Sequence, residues 1–468
     1  MLFNSAQFVF FFAVVLAVYR SLPGKLRGHW LLGCSLLFYL LWIPEYLLLL
    51  LADIGVNFAL LRAMLRSPRP KLFLVASITF TLGLLGFFKY ALFLAEALTA
   101  LTEGVIGQGL PLPEVLLPLG ISFYSFQILA LQIDSYRGEI EPPRSLTRYA
   151  LFVSFFPQLI AGPILRGCEF LPQLERGGQC LPERTRRGLW LIASGLSKKI
   201  ILGDYLLAPF VNSVYSNPGL GGAPIHLLAT YSFAFQIYCD FSGYTDMARG
   251  MACLLGFELP LNFKEPYLSR SPVEFWRRWH ITLSSWLRDY LYIPLGGNLR
   301  RRGRTYLNLL LTMLLGGLWH GADWSFVVWG ALHGVLLMTH RLVRRSSTDI
   351  DAPLSAGDLV RIALLFHAVC LFWVFFRAES LADALVILEV LLTQSYFVDW
   401  PVLPSIIVVL CWGLHFVERG VRLELPRIRE ALGSGGFGGA IEGMALGVIA
   451  ALAIAASGAG AEFIYFQF

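Results

Sequence analysis

The sequence predicts an all-α, polytopic integral membrane protein, and three observations carry that prediction. Of 468 residues, 56% are hydrophobic and only 15% charged, where a soluble domain carries about 25% charge. The mean hydropathy is +0.64. The apolar runs are continuous and of spanning length, which excludes an outer-membrane barrel, whose strands alternate apolar with polar residues. The net charge of +6 belongs to basic loops that the positive-inside rule places in the cytoplasm, and it calls for no nucleic-acid partner. The seven cysteines, Cys34, Cys168, Cys180, Cys239, Cys253, Cys370 and Cys411, form no CxxC pair, so neither a disulfide framework nor a metal cluster is expected.

Apolar runs and basic flanks then order the elements. The N-terminal stretch lacks a basic leader region and a small-residue cleavage site, and is expected to be retained as a first span. Helix 8–20 leads to a loop with Arg20, Lys25 and Arg27. Helices 29–43, 46–64 and 71–98 follow, then a loop near 99–115 that contains Glu103 and Glu114 without Lys or Arg, and helix 116–136. Segment 149–165 is apolar with charged flanks and contains Pro157, Gly162 and Pro163. A broken, re-entrant segment fits it, and such backbone survives at membrane depth only inside protein or along a cavity. Helices 189–215 and 226–250 come next, and spans are expected near 360–376, 401–418 and 439–457, with an interfacial amphipathic helix at 380–394. The expectation is about ten crossings plus two re-entrant elements in a single domain, 1–468, with both termini outside.

The second re-entrant element is 305–340, preceded by "RRRGR" and followed by "RLVRR". About 36 residues is too long for one span and suits a helical hairpin. The turn is expected at "GGLWHGAD", where Gly316, Gly317 and Gly321 relax the backbone. A first arm of about 14 residues would carry His320 about 20 Å inward. An ionisable residue at that depth is a functional candidate by default, and a neutral imidazole suits a general base. The bland alternative is a packing histidine in a glycine-loosened kink.

Ahead of the hairpin, "NFKEPYLSRSPVEFWRRWHITLSSWLRDYLYIPLGGN" (262–298) mixes Trp276, Trp279 and Trp286 with Arg277, Arg278, Arg288, Asp289 and His280. One reading is an interfacial helix with arginines on anionic lipid. However, "SPVEFW" has a serine N-cap, proline at the first helical position and Glu274 at the third. Trp276, His280 and Ser284 recur at four-residue spacing and are expected to share a face able to hold an organic ligand.

The two stretches "EFWRRWHITLSSWLRDYLYIPLGG" and "LLTMLLGGLWHGADWSFVVWGALHG" resemble the membrane-bound O-acyltransferase family, most closely its bacterial exopolysaccharide-acetylating branch. "LPLGISFYSFQ", "FPQLIAGPILR" and "QIYCDFSGYTDMARG" support the match. The resemblance implies a helical core around a central funnel, with the family's essential histidine at His320 and its second histidine-or-asparagine position at His280. It further implies acetyl transfer from a cytoplasmic thioester, acetyl-CoA, with no bound cofactor and no metal. On that reading His320 deprotonates a hydroxyl, and His280 orients the reactants or stabilises the oxyanion with Arg288 or Tyr290. Arg277 and Arg278 would receive donor phosphates, with Asp289, Tyr290, Trp276 and Trp319 lining the donor site.

Implied partners are a periplasmic transferase with a serine-hydrolase-like (SGNH-like) fold and a polysaccharide synthesis and secretion complex, alongside membrane lipid. The partner transferase is expected to dock near 99–115 or 377–400. Asp240, with Gln236 one turn earlier, either lines a polar cavity or caps a broken helix. His333, His340, His367 and His415 read better as packing or headgroup residues. Three rivals compete with the exopolysaccharide reading. One is a transporter, for which paired inverted halves are missing. Another is a purely structural scaffold. The third is transfer within the same family to teichoic acid, peptidoglycan or lipid.

Overall fold

The protein is described from a computed structural model that covers residues 3–106, 116–299, 301–343, 350–397, 400–432 and 464. Among these residues all regular structure is helical. The chain packs as two compact units, Met1–Ile192 with Thr245–Pro260, and Ala193–Tyr244 with Leu261–Phe468.

The first unit contains α1 (Ala6–Ser21), α2 (Gly24–Leu40), α3 (Pro44–Arg66), α4 (Pro70–Leu85), α5 (Ala91–Ile106), α6 (Ile121–Arg137), α7 (Leu146–Ser154), α8 (Phe156–Leu159) and α9 (Gly167–Arg176). Most of α10 (Pro182–Leu196) belongs to it as well. Proline opens α3 and α4, where its missing N–H costs nothing. Inside, Asn57 of α3 donates to Asp53 Oδ1 at 2.7 Å and to Thr81 of α4 at 3.1 Å. Gln132 of α6 donates to the Asn57 carbonyl at 2.7 Å. Such bonds tie helices together where lipid offers no hydrophobic drive between them.

The expected broken segment is present: α7 ends at Ser154, α8 supplies a single turn, and irregular backbone follows. Residues 149–165 are all buried, as non-helical backbone at depth requires. The Phe156 N–H donates to Ser35 Oγ at 3.2 Å, and Gln158 Nε2 donates to Gln127 Oε1 at 3.0 Å.

The second unit holds a π-helical stretch at Ser197–Leu207, α11 (Ala208–Tyr215) and the first part of α12 (Ala223–Leu254). It continues through α13 (Pro272–Arg278), α14 (Ile281–Leu287), α15 (Arg302–His320), α16 (Trp324–Val343), α17 (Ala356–Arg377), α18 (Leu381–Thr393) and α19 (Val402–Leu432). The hairpin expected over 305–340 is α15 and α16, joined by Gly321, Ala322 and Asp323. Small residues let its arms touch: a Cβ on Gly317 would meet the Phe326 carbonyl, and one on Gly330 would meet the Met313 carbonyl.

Five described helices are long and apolar enough to cross a membrane: Pro44–Arg66, Pro70–Thr99, Trp324–Val343, Ala356–Arg377 and Val402–Arg422. Ala6–Ser21 is apolar but shorter. Length and composition therefore do not reproduce the expected ten crossings. Several of the other segments are helices that carry buried polar groups, such as Gln127, Gln132 and Asp134 in α6, and the expected span at 439–457 lies outside the described residues. α18 occupies the position expected for the interfacial helix, capped by Ser380, whose hydroxyl accepts from the Asp383 N–H.

Candidate active site

The site is built in the second unit from the loop before α13, the break between α13 and α14, and the hairpin turn. The sequence-predicted cap is realised: Ser271 Oγ accepts from the Glu274 N–H at 3.2 Å, with Pro272 at the first position. The expected shared face of Trp276, His280 and Ser284 is not formed. α13 stops at Arg278, and His280 adopts a left-handed conformation with φ +42° before α14 starts at Ile281. Among the described residues only Glu265 and His280 do so without being glycine. Such a conformation costs about 1–3 kcal/mol and persists only where its surroundings impose it. Here Asn262 imposes it: its carbonyl accepts from the Ile281 N–H at 2.9 Å. Its side-chain Oδ1 is bonded to His280 Nδ1 at 3.1 Å and accepts from the Thr282 N–H at 3.2 Å and the Thr282 hydroxyl at 3.0 Å.

That kink brings the His280 ring to face the hairpin. His320 is the last residue of α15, with Gly321 as its C-cap. A Cβ on Gly321 would run into the Phe326 ring, so glycine is required at the turn beside the histidine. The imidazole centroids of His280 and His320 lie 6.3 Å apart, and Trp319 packs 5.8 Å from the first and 5.1 Å from the second. Trp329 of α16 and Phe376 of α17 stand edge-on to His320 at 5.1 and 5.3 Å. Phe241 of α12 closes on His280 at 4.7 Å. Both histidines are buried, His280 at 0% and His320 at 3% exposure. Burial pushes His280, which lies outside the spanning helices, down to about 3, so its ring is neutral at physiological pH.

The structure brings Trp276 to the same aromatic wall, 5.9 Å from Trp329 and 5.0 Å from His333. His333 lies between Phe275 and Phe372 at 5.8 and 5.0 Å, which suits the packing role read for it.

The arginines separate. Arg277 is exposed, whereas Arg278 is wholly buried and committed to protein groups. It donates to Glu274 at 2.8 Å, to the Lys264 carbonyl at 3.0 Å and to the Ile350 carbonyl at 2.6 Å. A guanidinium held in that way is not available for donor phosphates, which corrects the expectation for Arg278. Arg288 pairs with Asp289 at 2.6 Å at the surface, and the Tyr290 ring lies 5.1 Å from Trp286.

Gln236 and Asp240 lie on an uninterrupted α12, so Asp240 caps no broken helix. Asp240 Oδ1 instead meets Lys199 at 2.6 Å, and Lys199 also meets Asp204 at 2.8 Å, all three buried. Asp240 Oδ2 accepts from the Ile464 N–H at 2.7 Å. Sequence reading passed over Lys199 and Asp204, although charges inside "LSKKIILGDYLL" signal a buried partner. It also passed over Asn262, Phe241, Trp329 and Phe376. Among the described residues no cluster of His, Cys, Asp and Glu is arranged to hold a metal ion.

Comparison with known proteins gives the family. The family model for membrane-bound O-acyltransferases matches residues 112–378, which include both histidines. A probable alginate O-acetylase (AlgI) of Azotobacter vinelandii is 41% identical over 388 residues, covering 81% of this chain and 76% of that protein. A peptidoglycan O-acetyltransferase of Helicobacter pylori is 36% identical over 425 residues, 83% and 79% of the two chains. A teichoic acid D-alanyltransferase of Bacillus subtilis is 27% identical over 272 residues, 55% and 68%. With its two buried histidines inside the matched region, the chain belongs to the membrane-bound O-acyltransferase family and is a multi-pass membrane enzyme that transfers acyl groups to oxygen.

Proposed function

We propose that this enzyme takes acetyl from cytoplasmic acetyl-CoA and moves it across or into the inner membrane for the O-acetylation of a secreted exopolysaccharide, alginate or cellulose, which a periplasmic partner completes. The observation that carries the reading is the pair of buried imidazoles, 6.3 Å apart, enclosed by Trp319, Trp329 and Phe376. Two such rings can both reach a reacting centre about 3 Å from each. His320 serves as the base that removes the acceptor hydroxyl's proton as its oxygen attacks the thioester carbonyl; the C–S bond then breaks, and the leaving coenzyme A thiolate takes up that proton from His320. His280 orients the reactants beside it. The aromatic wall excludes water and so protects the thioester from hydrolysis.

The named relatives support a cell-surface polymer as acceptor: two are named as O-acetylating enzymes, one for alginate and one for peptidoglycan. The final step falls to a periplasmic SGNH-like transferase within the polysaccharide synthesis complex, with acetyl crossing a core of about ten spans. Arg277, exposed beside the site, is the arginine left to meet a donor phosphate. Inactivating the gene in its host and measuring acetyl esters on the secreted glycan and on peptidoglycan in parallel tests the acceptor. Loss from the secreted glycan is expected, and loss confined to peptidoglycan would replace this reading with the one that the Helicobacter relative suggests.

A further inference from the structure

We propose that Asn262 is a positioning residue that holds His280 as its Nδ1–H tautomer, leaving the lone pair on Nε2 so that His280 acts as a hydrogen-bond acceptor. The inference rests on the reading of His280 as a partner in acyl transfer and specifies how it works.

The Thr282 N–H can only donate, and it points at the Asn262 side-chain atom 3.2 Å away. That atom must therefore be the carbonyl Oδ1 and not the Nδ2 amide, which would set two donors against each other. The Thr282 hydroxyl, 3.0 Å from the same atom, is free to rotate and donates to it as well. With Oδ1 fixed as an acceptor, His280 Nδ1 at 3.1 Å must be the donor in their bond. A neutral imidazole carries one proton, so Nε2 holds the lone pair.

Both residues are fully buried, and Nδ1 is bonded to Asn262 at 3.1 Å. Asn262 is also built to hold this geometry, because its carbonyl binds the Ile281 N–H at 2.9 Å. One residue thus ties 280, 281 and 282 and fixes both the left-handed turn and the tautomer. Histidines that act chemically are commonly oriented through the nitrogen they do not use.

The consequence separates two roles that the sequence left open. In this tautomer Nε2 accepts a proton or an N–H or O–H bond. It cannot donate to a developing oxyanion, so His280 aligns a hydroxyl or amide of the reactants, and oxyanion stabilisation falls to another group.

The test is nitrogen-15 NMR on the full-length protein in nanodiscs with labelled histidine, the His280 signals being assigned by comparison with His280→Gln. Wild type is expected to show a protonated Nδ1 and an unprotonated Nε2. The opposite pattern would overturn the proposal without any activity measurement. In parallel, Asn262→Asp puts a buried carboxylate against Nδ1, which favours a ring protonated at both nitrogens, and is expected to show a protonated Nε2 and a lower kcat. Asn262→Leu, similar in volume, is expected to lose the tautomer preference and roughly 100-fold in kcat, with little change in KM for acetyl-CoA. A folded Asn262→Leu variant with wild-type kcat and an unchanged tautomer would contradict it. If wild type transfers no acetyl, the proposed function fails, while the NMR result still decides the tautomer.

Discussion

His280 and His320 come within 6.3 Å of each other, ring centre to ring centre, with Trp319 packed against both. One ring is delivered by a left-handed turn and the other by the end of a helix. His280 stands in the break between two helices and His320 in the last turn of one, beside a glycine C-cap, so the pair depends on two backbone devices and on the residues that enforce them.

The first prediction concerns the hairpin. Gly330→Ala places a Cβ against the Met313 carbonyl across the α15–α16 contact, and close overpacking costs about 1–3 kcal/mol. Gly303→Ala, at a position with nothing within 4 Å, should be neutral or slightly stabilising. Thermal unfolding in detergent should show the first variant with a lower Tm and the second without loss. Equal behaviour of the two would argue against close helix contact at Gly330.

The second concerns the buried clamp below the site. Glu274 binds Arg278 at 2.8 Å and Arg270 at 3.1 Å, and all three are buried. Glu274→Ala removes the carboxylate of buried Arg270 and one of the two carboxylates at Arg278, which keeps Glu265 at 3.5 Å, and should destabilise the protein by about 3 kcal/mol. Arg278→Lys should fall short of wild type as well, because an ammonium cannot reach Glu274 and the Lys264 and Ile350 carbonyls together. A Glu274→Ala protein melting like wild type would show that the clamp contributes nothing.

The third concerns Lys199. Lys199→Met leaves two buried carboxylates, Asp204 and Asp240, facing one another's field without the cation between them. A loss of about 3–5 kcal/mol is expected, partly recovered when Asp240→Asn is added. A double-mutant cycle reads the coupling, and additive effects would rule the cluster out as a unit.

The fourth is a pH dependence. The folded-state pKa of His280 is depressed to about 3 by burial, while the unfolded chain titrates near 6.5. Between those values the unfolded state binds the extra proton, so stability falls as pH drops below about 6.5 and is unaffected above it. His280→Gln should therefore show a shallower loss of Tm between pH 6.5 and 5 than wild type. Parallel slopes would mean that His280 is not buried as a neutral ring.

Much of this arrangement was legible in the sequence, and the limits have physical causes. The hairpin could be read because a long apolar run lay between two basic clusters and Gly321 marked its turn, whereas Gly316 and Gly317, also expected to relax the turn, lie inside α15, where Gly317 lets the arms pack closely. The α13 cap could be read because Ser, Pro and Glu stand at fixed offsets with local bonds. The break at His280 could not be read, since Trp276, His280 and Ser284 satisfy helical spacing and the left-handed turn is imposed by Asn262, a residue distant in sequence. Adjacent arginines 277 and 278 look alike as letters, yet one is exposed and the other is sealed among carbonyls and Glu274. Lys199 and Asp240 belong to separate helical stretches, and each alone looks like an isolated charge in an apolar run.

The central claim, that His320 is the base for acetyl transfer, is tested most directly with purified protein reconstituted in lipid and given radiolabelled acetyl-CoA. Wild type is expected to consume the thioester, by transfer or by slow hydrolysis. His320→Ala, folded to the same extent, is expected to lose that turnover by roughly 100-fold or more. A folded His320→Ala protein that turns over acetyl-CoA at the wild-type rate would contradict the account.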